Sequence, residues 1–450
     1  MKKLHGKLLR RIQHFALALV FTTVTTSSAA TLFVAKDGVD NSICGTKRDA
    51  ACLTIQYTVA NRSSAGDLLL IGRGVYPELI VVDRNLTLRG SSRDETILDG
   101  MHSGTVVTIP IGVTASIESM TIRNGFVTSS VPASLVAGIS NAGTLSLFET
   151  IVTGNMASSA EIGFFPFSAG GVGNSGILNV SHSRIVSNSA AQVCFSSGGL
   201  VNLGSVTVED SFFANNLLLP GPGGCTGPGT VPSASGFFND GSAVVNTSTF
   251  QKNEITSTGP FTLNRSTVSD SDGFGIYNAG NLTVVNSTIY GNAFTGIDNA
   301  LGVQIGSMDM SNSTVADNVG VGVVQQAGLG STIRNSILAG NLGGDCSGDF
   351  ISGDYNLIED LAGCSLFGGG HDSTGLSPEL GKLRENGGPT ETLYPRKGSP
   401  AINGGNPAGC RNAAGYLLRT DQRGFPRPEP PYGRCDIGAV QVEAHRYDTF

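Results

Sequence analysis

Tryptophan is missing from the 450 residues, only 14% of them are charged, and no lysine and arginine cluster follows the first eleven positions. With a formal net charge of −7 the chain carries no electrostatic footprint for nucleic acid. No run after residue 30 reaches the roughly 20 apolar residues that span a bilayer, so a transmembrane segment is not expected there. Cys-x-x-Cys is absent too, which leaves zinc without support. The eight cysteines all lie beyond residue 30, and an even number in an exported chain favours disulfides. Neighbours along the sequence suggest Cys44 with Cys52, Cys194 with Cys225, Cys346 with Cys364 and Cys410 with Cys435.

Export itself is read from residues 1–30. Lys2, Lys3, Lys7, Arg10 and Arg11 form a basic start, Phe15 to Phe21 an apolar stretch, and Ser28-Ala29-Ala30 a small-residue cleavage site. The mature chain is expected to begin at Thr31 and to be secreted or held at a bacterial cell surface.

What the chain has in abundance is glycine, 62 residues without a collagen period, and an internal repeat. Nine times a serine or threonine is followed five residues later by asparagine or its stand-in: Ser119/Asn124, Thr150/Asn155, Ser183/Asn188, Ser211/Asn216, Ser248/Asn253, Ser266/Ser271, Ser287/Asn292, Ser313/Asn318 and Ser336/Asn341. In five of these units a second asparagine lies fourteen residues before the first, at Asn141, Asn174, Asn202, Asn239 and Asn278. Constant internal spacing with variable gaps marks a solenoid.

One unit explains the architecture. In Gly275 to Asn292, Leu282, Val284 and Ile289 alternate with Thr283, Val285 and Tyr290, a strand period interrupted at Asn286-Ser287 and Gly291-Asn292. Asn and Gly tolerate left-handed backbone angles at such bends. Short strands joined by abrupt corners make one coil of a single-stranded, right-handed parallel β-helix, with the hand set by the usual crossover rule. The fold class expected is therefore all-β. Stacked coils set equivalent residues ~4.8 Å apart, so the Asn positions form columns in which side chains bond to one another and to the corner backbone. The Asn-x-Ser/Thr triplets follow from the recurring corner and are read as structural.

Both ends of such a helix expose strand edges that need covers. Thr54 to Ala60, apolar at 55, 59 and 60, suits a short capping helix. It leads into Gly66-Asp67-Leu68-Leu69-Leu70-Ile71, Gly74-Val75-Tyr76-Pro77-Glu78 and Leu86-Thr87-Leu88-Arg89-Gly90, a succession that resembles the N-terminal segment of right-handed β-helix proteins such as pectin methylesterases. Towards the other end the repeat stops. There stand Asn386-Gly387-Gly388-Pro389-Thr390, Gly398-Ser399-Pro400-Ala401-Ile402-Asn403, Asp421-Gln422-Arg423-Gly424, Arg427-Pro428 and Cys435-Asp436-Ile437-Gly438-Ala439. In that order they resemble the C-terminal region of the bacterial choice-of-anchor Q domain family, except that Asn403 stands where the family often has Asp and Gln441 where it often has Glu. The resemblance implies an exported pectate-lyase-like β-helix and carries over no reaction. The organisation expected is a leader at 1–30, an N-terminal cap at 31–66, repeats at 67–345, a Q-type capping region at 346–445 and a tail at 446–450.

Function is sought where the repeat varies. Insertions follow the second Asn in three successive coils: Met156 to Ala169 with Phe164, Phe165 and Phe167, Ser189 to Ser197 with Cys194, and Leu217 to Ser235 with Cys225. They read as a stapled edge or a binding lip with exposed aromatics. The residue before the Ser/Thr column runs Glu118, Glu149, His182, Asp210, Thr247, Arg265, Asn286, Asn312 and Asn335, ionisable throughout its first four members. Glu149, His182 and Asp210 are the catalytic candidates, since sugar hydrolysis uses carboxylates about 5 to 10 Å apart. A lyase or epimerase would need a base beside a cation; Arg123, Arg184, Arg265 and Arg334 are available. Asp270, Asp272 and Asp298 are the densest acidic set for calcium, more simply read as turns, so no cofactor is expected. The favoured reading is a monomeric, non-catalytic β-helix presenting loops for adhesion or glycan binding, with polysaccharide or a cell surface as partner. A polysaccharide lyase or hydrolase is the alternative, and a plain structural fibre fits the uneven insertions poorly.

Overall fold

The structure is a computed structural model that describes residues 29–129, 131, 134–159, 167–191, 195–219, 233–299, 306–326, 330–428 and 433–442. The leader at 1–28, Phe164, Phe165, Cys194 and Cys225 lie outside the described residues.

The chain winds into a right-handed parallel β-helix of three strands per coil. The coil Ile139–Asn141, Thr144–Phe148 and Ile151–Thr153 is typical. Leu145 and Leu147 alternate with Ser146 and Phe148 and are fully buried, which is the inward period that the sequence carries. Coil follows coil in parallel register, so that Leu145 stacks on Leu178 and Asn141 on Asn174. First and second strands join in one 24-stranded sheet through Cys346–Ser352, and third strands make a 13-stranded sheet. A single apolar core runs from Leu32 to Ile358, with Phe213 and Phe250 stacked at 4.5 Å in its middle.

Two corners repeat in every coil, and each begins with a left-handed residue. Ser119, Glu149, His182, Asp210, Thr247, Arg265, Asn286, Asn312 and Asn335 all have φ between 45° and 52°. The residue after each bend turns inward and bonds to the neighbouring coil. Thr150 N–H donates to Ser183 Oγ (3.0 Å), Ser183 N–H to Ser211 Oγ (3.1 Å), and the series runs on through Ser248, Ser266, Ser287 and Ser313 to Ser336. The serine column is thus a hydrogen-bonded ladder, beyond the small-group packing its parity suggests. Asn155, Asn188, Asn216 and Asn253 are linked amide to amide at the second corner, and Asn141, Asn174, Asn202 and Asn239 between the first two strands. Asn278 starts a further link, to Asn299. Each buried amide would otherwise be a costly orphan, about 1–3 kcal/mol.

The first pair of the repeat corrects the sequence register. Thr121 is level with Ile151, so Met120 and Gly125 occupy the inward places that Ser119 and Asn124 were assigned. Asn124 instead donates to Asp99, and Glu118 is level with Phe148, outside the corner column, where it pairs with Arg89.

The insertions are also more regular than loops. Phe126–Ser129, Met156–Ser159, Ser189–Ala191 and Leu217–Leu219 form a separate four-stranded parallel sheet that spans four coils, one more than the gaps in the sequence indicate.

At the N-terminal end Ile55–Asn61 is a helix whose Ile55 and Val59 are buried against the first coils. Thr54 Oγ1 accepts from Tyr57 N–H, and the Glu78 carboxylate accepts from Ile55 and Gln56 N–H at 3.0 and 2.8 Å. The ladders continue past residue 345 through Cys346–Ser352, Leu357–Ile358, Cys364–Phe367 and Ser373–Thr374. The remaining segment turns back along the flank of the helix, reaching as far as Arg265. Disulfides join Cys44–Cys52, Cys346–Cys364 and Cys410–Cys435. Among the described residues no helix is long and apolar enough to cross a membrane.

Candidate functional site

Glu149, His182 and Asp210 stand on consecutive coils at the same left-handed corner and are exposed. Holding a non-glycine residue there costs about 1–2 kcal/mol, a cost that the short polar side chain of Asp210 eases and that of Glu149 does not. Together with Arg93, Ser183, Arg184 and Phe212 they line an open groove of about 490 Å³.

His182 Nε2 lies 3.7 Å from Asp210 Oδ2, and its ring meets Phe148 at 5.5 Å between centroids. Ser119 Oγ donates to Glu149 Oε2 at 3.1 Å. The Arg184 guanidinium rests 5.1 Å above the Phe212 ring, which leaves that face half-buried and cationic. Arg93 reaches across from an earlier coil to donate from Nη1 to the His182 carbonyl at 3.3 Å. The groove therefore combines two carboxylates, an imidazole, two guanidinium groups and one phenyl ring, with Phe148 beside the imidazole.

Three of the four ionisable corner positions expected from sequence are thus brought together, and Glu118 is displaced by the register correction. Phe167 is not a displayed aromatic: it packs beside the buried cluster of Val136, Ala169 and Phe238. Of the arginines, Arg184 alone joins the site; Arg123 pairs with Asp99 (2.8 Å), Arg334 with Asp309 (3.7 Å), and Arg265 donates to Gln422 O. Asp270 and Asp298 each face a glutamine amide, and with Asp272 they do not form a three-ligand cluster. Among the described residues the one group of three metal-capable atoms is Asp40 with Cys44 and Cys52, whose sulfurs are spent in their disulfide.

Sequence reading missed Arg93, Phe148 and Phe212. Arg93 had a signal: five residues separate Leu86–Gly90 from Thr96–Asp99, where two separate Thr144–Phe148 from Ile151–Thr153. The longer corner is the overhang.

Farther along, the same corner is covered. Asn286 Nδ2 donates to Thr420 O, Asn312 Nδ2 to Arg411 O and Asn335 Nδ2 to Asp436 O, each within 3.0 Å. Arg427, fully buried, donates to Asn286 Oδ1 and Gly438 O. Gln422 accepts from Thr288 Oγ1 and donates to Ser266 O and Thr267 Oγ1. Desolvation holds the Arg427 guanidinium down at about 10, and burial pushes the Asp436 carboxyl up although Asn403 and Val442 N–H groups bond to it. Gln441 Oε1 accepts from Asp436 N–H, and Gly438, at φ 92°, sits where a Cβ would strike Ile337. The short motifs near the C-terminus converge here as one clamp.

No protein-family profile matches the chain, and no curated protein sequence matches it. Among solved structures, XylC in complex with xylose superposes with a TM-score of 0.61 over 92% of this chain and 98% of that one, at 10% identity. Pectate lyase Pel9A reaches 0.46 at 11% identity over 93% and 97%, and the A-module of the Azotobacter vinelandii mannuronan C-5 epimerase AlgE6 reaches 0.40 at 14% over 71% and 94%. The likeness to XylC, at that identity, is one of fold, and the chain shares with it the pectate-lyase-like parallel β-helix.

Proposed function

We propose that this is an exported β-helix protein that binds a glycan in the groove over Glu149, His182 and Asp210, without turning it over. The observation that carries the reading is the exposed run of ionisable residues on consecutive coils, with Glu149 held at a corner that disfavours it. Residues kept at a backbone cost are where function concentrates. Carboxylates and guanidinium groups match the hydroxyl-rich edges of sugars, and the half-buried Phe212 ring suits their apolar sides. A β-helix of similar fold, XylC, has been solved with xylose.

A second reading, a hydrolase or lyase, has one specific support. Glu149 and Asp210 are two coils apart, roughly 9.6 Å by strand spacing, near the upper end of the separation used by inverting glycosidases. One assay separates the two readings: incubate the mature protein with neutral and uronic-acid polysaccharides, and follow retention together with new reducing ends or unsaturated products. Retention without product is expected. Product that vanishes in Glu149→Gln or Asp210→Asn makes it an enzyme, and absence of both retention and product sinks both.

The C-terminal clamp supports the finer resemblance to the choice-of-anchor Q family, and with it a leader at 1–30 removed on export. The disulfides fit an oxidising compartment.

A further inference from the structure

The groove is walled at both ends by the same device. Level with one another on successive third strands stand Thr121, Ile151, Arg184, Phe212, Thr249 and Thr267. At one limit Thr121 Oγ1 donates to Arg93 O, and at the other Thr267 Oγ1 donates to Glu391 O, both at 2.6 Å. Thr121 and Thr267 are buried beneath those carbonyls, while the four positions between them are open or half-open.

The corner column agrees. The Arg93 side chain arches over towards His182, and at the far end Arg265 is tied to Gln422 O while its own carbonyl accepts from Thr390 Oγ1. Between the walls lie Glu149, His182, Asp210 and Thr247. Five strand spacings separate Thr121 from Thr267, a trough of roughly 24 Å.

Resting on the glycan reading above, we infer that the trough recognises short oligosaccharides and rejects long polymers. A ligand aligned with the ionisable column, whose members repeat along the helix axis, runs into the 91–95 corner in one direction and the 389–391 and 422–424 turns in the other. An extended chain passes neither wall without lifting off the carboxylates. An oligosaccharide shorter than the trough fits between them.

The test uses calorimetric titration of the full mature protein with polygalacturonate, alginate and xylan, each intact and after mild acid cleavage, at equal mass. Affinity per unit mass is expected to rise as cleavage yields fragments shorter than the trough. An affinity indifferent to cleavage, or weakened by it, overturns the inference while leaving the groove reading in place. Arg93→Ala lowers one wall and is expected to bring the fragment-to-polymer affinity ratio towards unity; an unchanged ratio counts against the wall. If no form of any polymer binds, or binding survives Glu149→Gln with Asp210→Asn, the groove reading itself falls.

Discussion

The same corner of the same helix is filled in two ways. From Glu149 to Asp210 it carries ionisable side chains in solvent; from Asn286 to Asn335 it carries buried asparagines held by the returning C-terminal segment. Backbone geometry does not differ, since φ stays between 45° and 52° throughout. Asparagine is well suited to this conformation and brings an amide that can face a clamp. Glutamate is poorly suited to it, and among the described residues no clamp covers Glu149, His182 and Asp210. The corner is therefore a constant mount, and its side chain answers to whatever lies opposite: the protein's own chain in one stretch, solvent in the other, where a glycan is proposed to bind.

Breaking the clamp should have the largest effect. Arg427→Ala leaves Asp436 and the Asn286 amide without their buried partner, an expected loss of about 3–5 kcal/mol in urea unfolding. Cleavage by protease should appear within 376–428 well before the coils unfold. Stability unchanged within error would mean that the two stretches are held alike, and the comparison would collapse.

Exchanging residues between the two stretches sharpens it, because the signs should be opposite. Glu149→Asn is expected to raise stability by up to about 1 kcal/mol by relieving the left-handed corner, and to weaken glycan retention. Asn312→Glu is expected to lower stability by about 2–3 kcal/mol, since it removes the bond to Arg411 O and buries a carboxylate. Thermal melts followed by circular dichroism give both values, which suits a chain without tryptophan.

The smallest effect is in acid. Asp436 is raised by burial above its ordinary 3.8, as Asp298 and Asp317 are, so each favours the native state in its neutral form. Their contribution is complete below 3.8 and drains away as pH rises through the folded pKa. Asp99, in an early coil, is also pushed up by burial, but Met101 N–H, Arg123 and Asn124 hold it below 3.8. Its contribution is present above 3.8 and lost as pH falls. Melting points measured at about pH 2, about pH 4 and about pH 7 should shift in opposite senses relative to the unmutated chain, with Asp436→Asn removing a fall as pH rises above 3.8 and Asp99→Asn removing a fall as pH drops below 3.8. Shifts of one sign would undo the contrast between early and late coils.

The fold was legible because its rules are local. A left-handed residue followed by an inward Ser or Asn is written into each coil, so strands, corners and ladders could be read within some twenty residues. One local coincidence misled: Ser119 and Asn124 have the right spacing but sit one place early, because Met120 and Gly125 take the inward positions. Glu149, His182 and Asp210 were legible for the same local reason. The clamp was not, because Arg427 meets Asn286 across 141 residues and Asn335 meets Asp436 across 101. Nor were the walls, since nothing near Glu391 in sequence points to Thr267. Phe167 shows the converse, an aromatic in an insertion that serves a small core of its own.

The carbonyls over Thr121 and Thr267 make the helix a ruler. Distance between them is counted in whole coils, so it changes only in steps of ~4.8 Å. Gain or loss of one coil between the stops would lengthen or shorten the permitted ligand by a fixed increment, leaving every corner intact. Size selection in such a molecule is an integer, set by duplication and deletion rather than by reshaping a pocket.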